Sequence, residues 1–201
     1  MAYYIRVLST SPRGISVSEL QSAIDAHRFP ATLAVEAGTR ERWEALLLRH
    51  RDGREIAVIE HNAVEIGSLG SGELEEFAEE ISDCKPESSV QWLLHYFPRV
   101  RSIYAFQLLT GADDQNGCEI LEAVKNRIFS FAPSILQADA EGFTNEEGYH
   151  ILWQFNDSAQ GSWRMGVLRN GEWVHFQMDL GNIKHRESFC ARKVPDGVKL
   201  A

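Results

Sequence analysis

The Asn-Gly dipeptide at positions 170–171 constrains this chain most, because it lies between two runs rich in β-branched and aromatic residues, SWRMGVLR and EWVHFQMDL. Asn-Gly favours a two-residue type I′ turn, and such a turn fixes the register of the two strands. Arg169 should then face Glu172, and Met165 should face Phe176. Since side chains alternate along a strand, the hairpin has one mainly polar face and one apolar face. The apolar face carries Trp163, Met165, Val167, Val174, Phe176 and Met178.

The run 149–155 predicts a further strand ahead of the hairpin, which completes a three-stranded antiparallel meander over about 149–180. An odd-length loop or a bulge would place Tyr149 and its alternate neighbours on the apolar face. The opposite face then gathers polar side chains around Gly166, which has no side chain to block a ligand. His150 is predicted to lie on that face. The candidate ligand-binding residues are Gln154, Arg164, Trp173, His175 and Gln177, with Glu141 at the rim.

Two interpretations of this polar face are open. An antiparallel sheet ordinarily has one solvated polar face, which would then have no specific role. In a binding site, Arg164 would hold an anionic group and His175 would transfer a proton, since imidazole titrates near neutrality. An exposed Trp173 would offer a large contact area to a ligand or a partner. Its alternative place is beneath the carboxy-terminal tail.

The sequence contains none of the common catalytic or nucleotide-binding motifs, such as H-E-x-x-H, G-x-S-x-G, a Walker loop or G-x-G-x-x-G. Loop 137–147 carries four carboxylates, but a calcium loop that begins at Asp139 would place Phe143 and Thr144 where an oxygen ligand and a glycine are needed. Its acids are expected to be solvated or to cap backbone amides. We therefore predict no metal and no cofactor, and favour a non-enzymatic role.

The formal net charge of −9 argues against nucleic acid or an anionic membrane surface as the main partner, because both require clustered Lys and Arg. Cys84, Cys118 and Cys190 are odd in number and widely spaced, which indicates neither a disulfide framework nor a zinc site. No window approaches the roughly 20 apolar residues of a membrane helix. We expect a soluble protein in a reducing cytoplasm.

The remaining patterns predict an α+β fold with mainly antiparallel sheet. A capping-box spacing precedes a first helix at Ser16, and acidic amphipathic helices span 71–97. Asp52-Gly53 predicts a second hairpin, in which Leu48 faces Ala57 and the following Glu60 and His61 turn inward. The uncharged strand 102–109 should be central in its sheet.

No Pro-, Gly- or Ser-rich linker divides the chain, so we predict one compact domain over 1–201. The alternative organisation has two similar strand-helix-strand-hairpin halves, 1–66 and 100–201, joined by the helices at 71–97. These observations favour a non-enzymatic protein-interaction module that uses the polar and aromatic face of the meander. Its partner would be a protein, such as a basic one suited to the acidic balance, or a small polar ligand. The alternative is a small-molecule-binding protein or enzyme with a pocket over Gly166.

Overall fold

The computed structural model describes residues 3–201, which form five α-helices and ten strands with mostly antiparallel pairing. This confirms the predicted α+β class. In chain order the elements are β1 (Tyr4–Ser9), α1 (Val17–Ala26), β2 (Ala31–Gly38), β3 (Trp43–His50), β4 (Glu55–Ala63), α2 (Leu69–Glu80), α3 (Glu87–Tyr96), β5 (Ser102–Leu108), α4 (Gln115–Phe129), β6 (Ser134–Ala138), β7 (Gly142–Thr144), β8 (Ser162–Arg169), β9 (Glu172–Asp179), α5 (Ile183–Cys190) and β10 (Lys199–Leu200).

The chain divides into two compact units by the density of its internal contacts. The first unit comprises the chain up to Ser71 together with Val100–Ser134, and the second comprises Gly72–Arg99 together with Ile135–Ala201. The order β1-α1-β2 recurs as β5-α4-β6 along the chain. The single-domain organisation and the two similar halves both stay predictions.

The first unit contains a sheet with the strand order β2-β3-β4-β5-β1, in which neighbouring strands are antiparallel. Strand β5 lies between β4 and β1, as its uncharged sequence predicted. The β3–β4 hairpin has the predicted register, with Leu48 opposite Ala57. Its turn is not of type I′, because only Gly53 of the Asp-Gly dipeptide has positive φ, at 96°. A bulge between Leu48 and Arg49 shifts the register beside this turn, so the predicted pairs further from the turn are kept.

Helix α1 begins at the predicted capping box. The Ser16 hydroxyl oxygen accepts from the backbone N–H of Glu19 at 3.3 Å, and the Glu19 carboxylate accepts from the backbone N–H of Ser16 at 3.0 Å. Each side chain thus satisfies an amide that the first turn leaves without a partner. The Ser16 N–H, together with the Ser16 hydroxyl that donates to Glu19 Oε2 at 2.8 Å, lowers the pKa of Glu19 below its ordinary value, because both bonds favour the charged carboxylate.

The β8–β9 hairpin of the second unit follows the predicted register from end to end. Met165 faces Phe176, and Arg169 faces Glu172 beside the turn. Asn170 and Gly171 have φ values of 52° and 85°, as a type I′ turn requires. The apolar face forms a core with α5, which comprises Trp153, Phe155, Met165, Val167, Phe176, Met178, Leu180 and Phe189.

The third strand of this sheet is β10, not the predicted run 149–155. Lys199 and Leu200 pair with β9, so the strand order is β10-β9-β8. The run 149–155 forms no ladder because its N–H groups bond to three different partners. His150 donates to the Arg164 carbonyl, Ile151 to Phe143, and Trp153 to Lys85, each at 2.8–2.9 Å. The prediction of a regular meander strand was wrong for this run.

Two residues of this run lie on the opposite side from the one predicted. His150 bridges Met165 in a parallel sense, and its ring packs on Phe155 of the core and on the partly buried Trp163. Tyr149 instead lies over the polar face of the hairpin, against Gly166. The parallel bridge at His150 differs from the predicted antiparallel register, so Tyr149 and His150 exchange sides. Trp153 and Phe155 lie in the core as predicted. His150 is only 2% exposed. Burial lowers the pKa of His150 to about 4, which keeps the ring neutral.

Candidate functional site

Four of the predicted site residues share the outer face of the β8–β9 hairpin, as the register required. Arg164 faces Gln177. Towards the turn, the next two pairs on this face are Gly166 with His175 and Leu168 with Trp173. Arg164 and Gln177 are exposed, whereas His175 and Trp173 are half-buried. We call this surface the outer face, defined by Arg164, Gly166, Trp173, His175 and Gln177.

Trp173 lies beneath helix α3 and not beneath the carboxy-terminal tail. Its ring meets Trp92 edge-on, with 5.3 Å between centroids, and Trp92 stacks on Tyr96 at 5.1 Å. Aromatic pairs of this geometry stabilise packing beyond the area that they bury. Trp173 therefore helps to hold α3 on the hairpin, and the open part of the outer face begins on its other side, at His175 and Arg164.

Tyr149 occupies the space over Gly166 that the sequence assigned to a ligand. Its ring stacks on His175 at 3.7 Å with an angle of 9°, and the Arg164 guanidinium lies over the ring centroid of Tyr149 at 4.3 Å. A Cβ atom at Gly166 would lie 3.2 Å from His175 Cδ2 and 3.4 Å from Tyr149 Cβ. Glycine at this position thus allows a protein ring to approach the sheet closely.

Asn145 fixes the proton position of His175. The Asn145 Oδ1 accepts from the backbone N–H of Glu147 at 3.1 Å and of Tyr149 at 2.9 Å, so its Nδ2 is the atom that faces His175 Nε2 at 3.1 Å. An amide nitrogen can only donate, so Nε2 accepts and the neutral ring carries its proton on Nδ1. Glu147 Oε2 lies 3.6 Å from that Nδ1.

The charge state of His175 follows from this environment. Burial lowers the pKa of His175 and Arg164 lowers it further, while Glu147 acts in the opposite direction. The ring is thus neutral near pH 7, and its Nε2 lone pair is already engaged by an amide that is 1% exposed. His175 is therefore arranged as a packing group, and a role in proton transfer would require Asn145 to move.

A shallow groove of about 190 Å³ remains on the outer face, where β8, β9 and β10 lie side by side. Arg164, Gln177 and Lys199 are successive cross-strand partners, one on each strand, and so point to the same side. Lys199 was not predicted, because a two-residue strand gives no periodic signal. Tyr149, Phe176, Leu200 and Ala201 are the other residues that line the groove.

The other two predicted site residues lie beside β7. The Gln154 backbone N–H donates to the Glu141 carbonyl at 3.3 Å, and the Gln154 side chain packs against the position of Gly142. Both residues are half-buried. Gln154 and Glu141 thus contact each other, while the groove is built from Arg164, Gln177 and the unpredicted Lys199 and Tyr149.

The first unit contains a larger cavity, of about 710 Å³, between the loop before α1 and the start of β3. Trp43 forms part of its wall and donates from Nε1 to the Ile15 carbonyl at 2.7 Å. His61 stacks on the buried Tyr104 with 4.5 Å between centroids and an angle of 6°. The cavity is lined by residues that include Arg13, Gly14, Glu41, Arg42, Trp43 and His61.

His61 is half-buried, in line with its predicted inward position, whereas Glu60 is exposed. Burial lowers the pKa of His61, while a hydrogen bond to the Trp43 carbonyl acts in the opposite direction. One sequence pattern pointed to this cavity, namely a polar side chain after an apolar Val-Ile pair. It could not show that the loop before α1 would form the opposite wall.

Residues 3–201 contain no group of three or more His, Cys, Asp or Glu side chains arranged to hold a metal ion. Over the same residues no helix is both long and apolar enough to cross a bilayer. All three cysteines are free thiols, and burial raises the pKa of Cys84 and of Cys190. No family model, curated protein or solved structure matches this chain.

Proposed function

We propose that this protein is a non-enzymatic interaction module that binds a protein partner through the outer face of the β8–β9 hairpin. The observation that carries the proposal is the filling of the space over Gly166 by Tyr149 and His175. What remains on this face is a groove of about 190 Å³, below the roughly 300–1,000 Å³ of ordinary small-molecule sites. Such a groove fits one side chain of a partner.

The chemistry of the face supports binding more than catalysis. Arg164 is exposed and lies on the ring of Tyr149, and Arg and aromatic groups contribute strongly to protein interfaces. The one imidazole on the face, His175, has its Nε2 engaged by Asn145. A general base needs an available lone pair within hydrogen-bond reach of a substrate.

We place the protein in a reducing compartment, the cytoplasm. The support is that Cys84, Cys118 and Cys190 are all free thiols, and that Cys118 is exposed. Disulfides are rare where thiols are kept reduced.

The interaction proposal is tested by capture of partners from cells of the native host. Wild-type protein, Arg164→Gln and Arg169→Gln are immobilised at equal density, and the retained proteins are identified by mass spectrometry and then purified for binding assays. Arg169 is the matched control, because it is exposed on the same strand beside the turn. We expect Arg164→Gln to lose a partner that the control retains. Equal retention by all three proteins would contradict the proposal.

A salt titration of the purified complex tests the electrostatic part of the interaction. Charges exposed at a rim are screened beyond about 8 Å at physiological ionic strength. The association rate should therefore fall as salt rises. A rate that is indifferent to ionic strength would remove charge as the basis of recognition.

A second candidate function, the binding of a small molecule, is favoured by the cavity of the first unit. Its volume of about 710 Å³ lies within the ordinary range for ligand sites, and Trp43 and His61 provide aromatic surface. Thermal-shift screening of wild-type protein against a metabolite panel would test small-molecule binding. Arg42→Ala alters the lining of the cavity, and Arg51→Ala, in an exposed turn, is the control. A ligand of this cavity should lose its effect only in Arg42→Ala.

A further inference from the structure

We propose that the groove on the outer face recognises an acidic segment of a partner protein, with a carboxylate held between Arg164 and Lys199. This inference rests on the proposed function and names the chemistry of its partner. The acidic composition of the whole chain suggests a basic partner, but the groove itself presents cations.

The three cross-strand partners form one continuous row of hydrogen-bond donors. Arg164 on β8, Gln177 on β9 and Lys199 on β10 are opposite one another in the two registers. Adjacent strands lie about 4.8 Å apart, so the two cations stand roughly 10 Å apart at the backbone, with an amide between them. Long side chains at that separation can converge on one carboxylate. Arg and Lys offer only donors, so the row requires an acceptor-rich ligand.

The two cations of this row form no ion pair within the described part of the protein. Within the part of the chain that the structure describes, residues 3–201, neither Arg164 nor Lys199 forms an ion pair with a carboxylate. Glu147, an acid of the same region, lies 3.6 Å from the His175 Nδ1. Some arginines elsewhere in the chain do have acidic partners. Arg49 contacts Glu55 at 2.9 Å, and Arg186 contacts Asp157 at 2.6 Å.

Arg164 is also held in position before any partner arrives. Its guanidinium lies on the ring of Tyr149, and Tyr149 is stacked in turn on His175, which Asn145 fixes. A guanidinium that lies on an aromatic ring keeps its edge N–H groups available for a bidentate carboxylate. Because little side-chain freedom remains to be lost, an ion pair formed here costs less entropy than one with a free arginine.

The size and surroundings of the groove favour a side chain of a protein over a free anion. The ring of Tyr149 provides apolar surface beside the cations, which suits the aliphatic stem of a Glu. The net charge of −9 does not prevent this contact, because charges more than about 8 Å apart are largely screened at physiological salt. A basic segment would meet Arg164 and Lys199 directly.

The test is a titration of the full-length, ¹⁵N-labelled protein with three blocked pentapeptides, followed by heteronuclear NMR. The probes are acetyl-Gly-Glu-Leu-Glu-Gly-amide and the same peptide with Gln or with Lys in place of both Glu residues. We expect the Glu peptide to shift the backbone signals of Arg164, Gln177 and Lys199, and to bind about tenfold more tightly than the Gln peptide. Arg164→Gln should remove that preference, and Arg169→Gln should keep it.

Each other outcome overturns the inference. Equal affinity for the Glu and Gln peptides, or a preference for the Lys peptide, would show that the row does not select carboxylates. Free acetate is added at an equal concentration of carboxylate. If it shifts the same signals as strongly, the ligand of the groove is a small anion and not a protein segment. If a ten-nucleotide oligothymidine binds the row more tightly than the Glu peptide does, the row recognises a phosphate backbone and not an acidic segment.

Failure of this inference is distinct from failure of the proposed function. If the acidic-partner inference alone is wrong, Arg164→Gln still loses a captured host protein while the peptides show no preference. If the interaction surface itself is wrong, wild type and Arg164→Gln retain the same host proteins.

Discussion

The two faces of the β8–β9 hairpin are made from alternate residues of the same strands, yet they differ in how completely other residues cover them. The core face is closed by large apolar side chains, with Met165 and Phe176 both 0% exposed. The outer face is covered in part, by α3 at Trp173 and by Tyr149 at Gly166, and is open at Arg164 and Gln177. Alternation along a strand therefore divides core from non-core, but tertiary neighbours decide how much of the second face is surface.

The largest effect should come from the core face. Phe176→Ala removes a fully buried ring opposite Met165, and such truncations cost about 3–5 kcal/mol of unfolding free energy because the cavity refills only in part. Chemical denaturation of the variant and the wild type measures it. A loss below about 1 kcal/mol would mean that Phe176 is not in a packed core.

The next largest effect should come from the two histidines on opposite sides of the sheet, which change the unfolding free energy as the pH falls. The pKa of buried His150 is lowered to about 4 from 6.5, so the unfolded state binds more protons over that interval. The contribution of His150 to the unfolding free energy is then fully present above pH 6.5 and is lost as the pH falls towards 4. For a pKa shift of this size the loss is about 3 kcal/mol. His175, whose pKa is lowered in a less buried place, adds to the loss in the same direction below pH 6.5.

Urea denaturation between pH 4 and pH 7 measures this effect in wild type, His150→Phe and His95→Phe. Protonation of carboxylates with lowered pKa values, such as Asp52 and Glu19, also destabilises the protein at low pH. Only the difference between the curves of the three proteins is therefore informative. His150→Phe should flatten the curve, and His95→Phe, at an exposed position, should not. Identical curves for all three proteins would show that His150 titrates normally.

An intermediate effect should come from the covered part of the outer face. Asn145→Ala leaves the N–H groups of Glu147 and Tyr149 and the Nε2 of His175 without their partner, and a buried polar group left in this way costs about 1–3 kcal/mol. Denaturation gives the loss. Nitrogen NMR of the imidazole should show the His175 proton leaving its fixed place on Nδ1, a change that a purely structural loss elsewhere would not produce.

The smallest effect on stability should come from the open part of the outer face. Arg164→Ala removes an exposed side chain whose main contact is the ring of Tyr149, and such changes usually stay within about 0.5 kcal/mol. A loss comparable with that of Phe176→Ala would mean that this face is interior. In that case the groove would not be available to a partner.

The fold was predictable where local chemistry determines it. Asn170 and Gly171 set the hairpin register because a two-residue turn leaves no freedom, and Ser16 with Glu19 set the start of α1. The run 149–155 was not predictable from alternation, because its N–H groups bond to residues far apart in the chain. That error exchanged the sides of Tyr149 and His150.

The candidate site was predictable only in part, for the same reason. Arg164, His175 and Gln177 follow from the register, so their common face was correct. Lys199 joins them through a two-residue strand that carries no periodic pattern, and Tyr149 joins them through the shifted register of its segment. Both depend on long-range pairing that hydrophobic patterns do not encode.

The central claim is that Arg164 serves binding and contributes little to folding, unlike its neighbours on the core face. The most direct measurement is the affinity of the captured partner for Arg164→Gln and Arg169→Gln, with the unfolding free energy of each variant determined in parallel. We predict that Arg164→Gln weakens binding about tenfold, which corresponds to about 1.4 kcal/mol, with unchanged stability, while Arg169→Gln changes neither quantity. Equal affinities for the two variants, or a loss of binding that follows a loss of stability, would contradict the account.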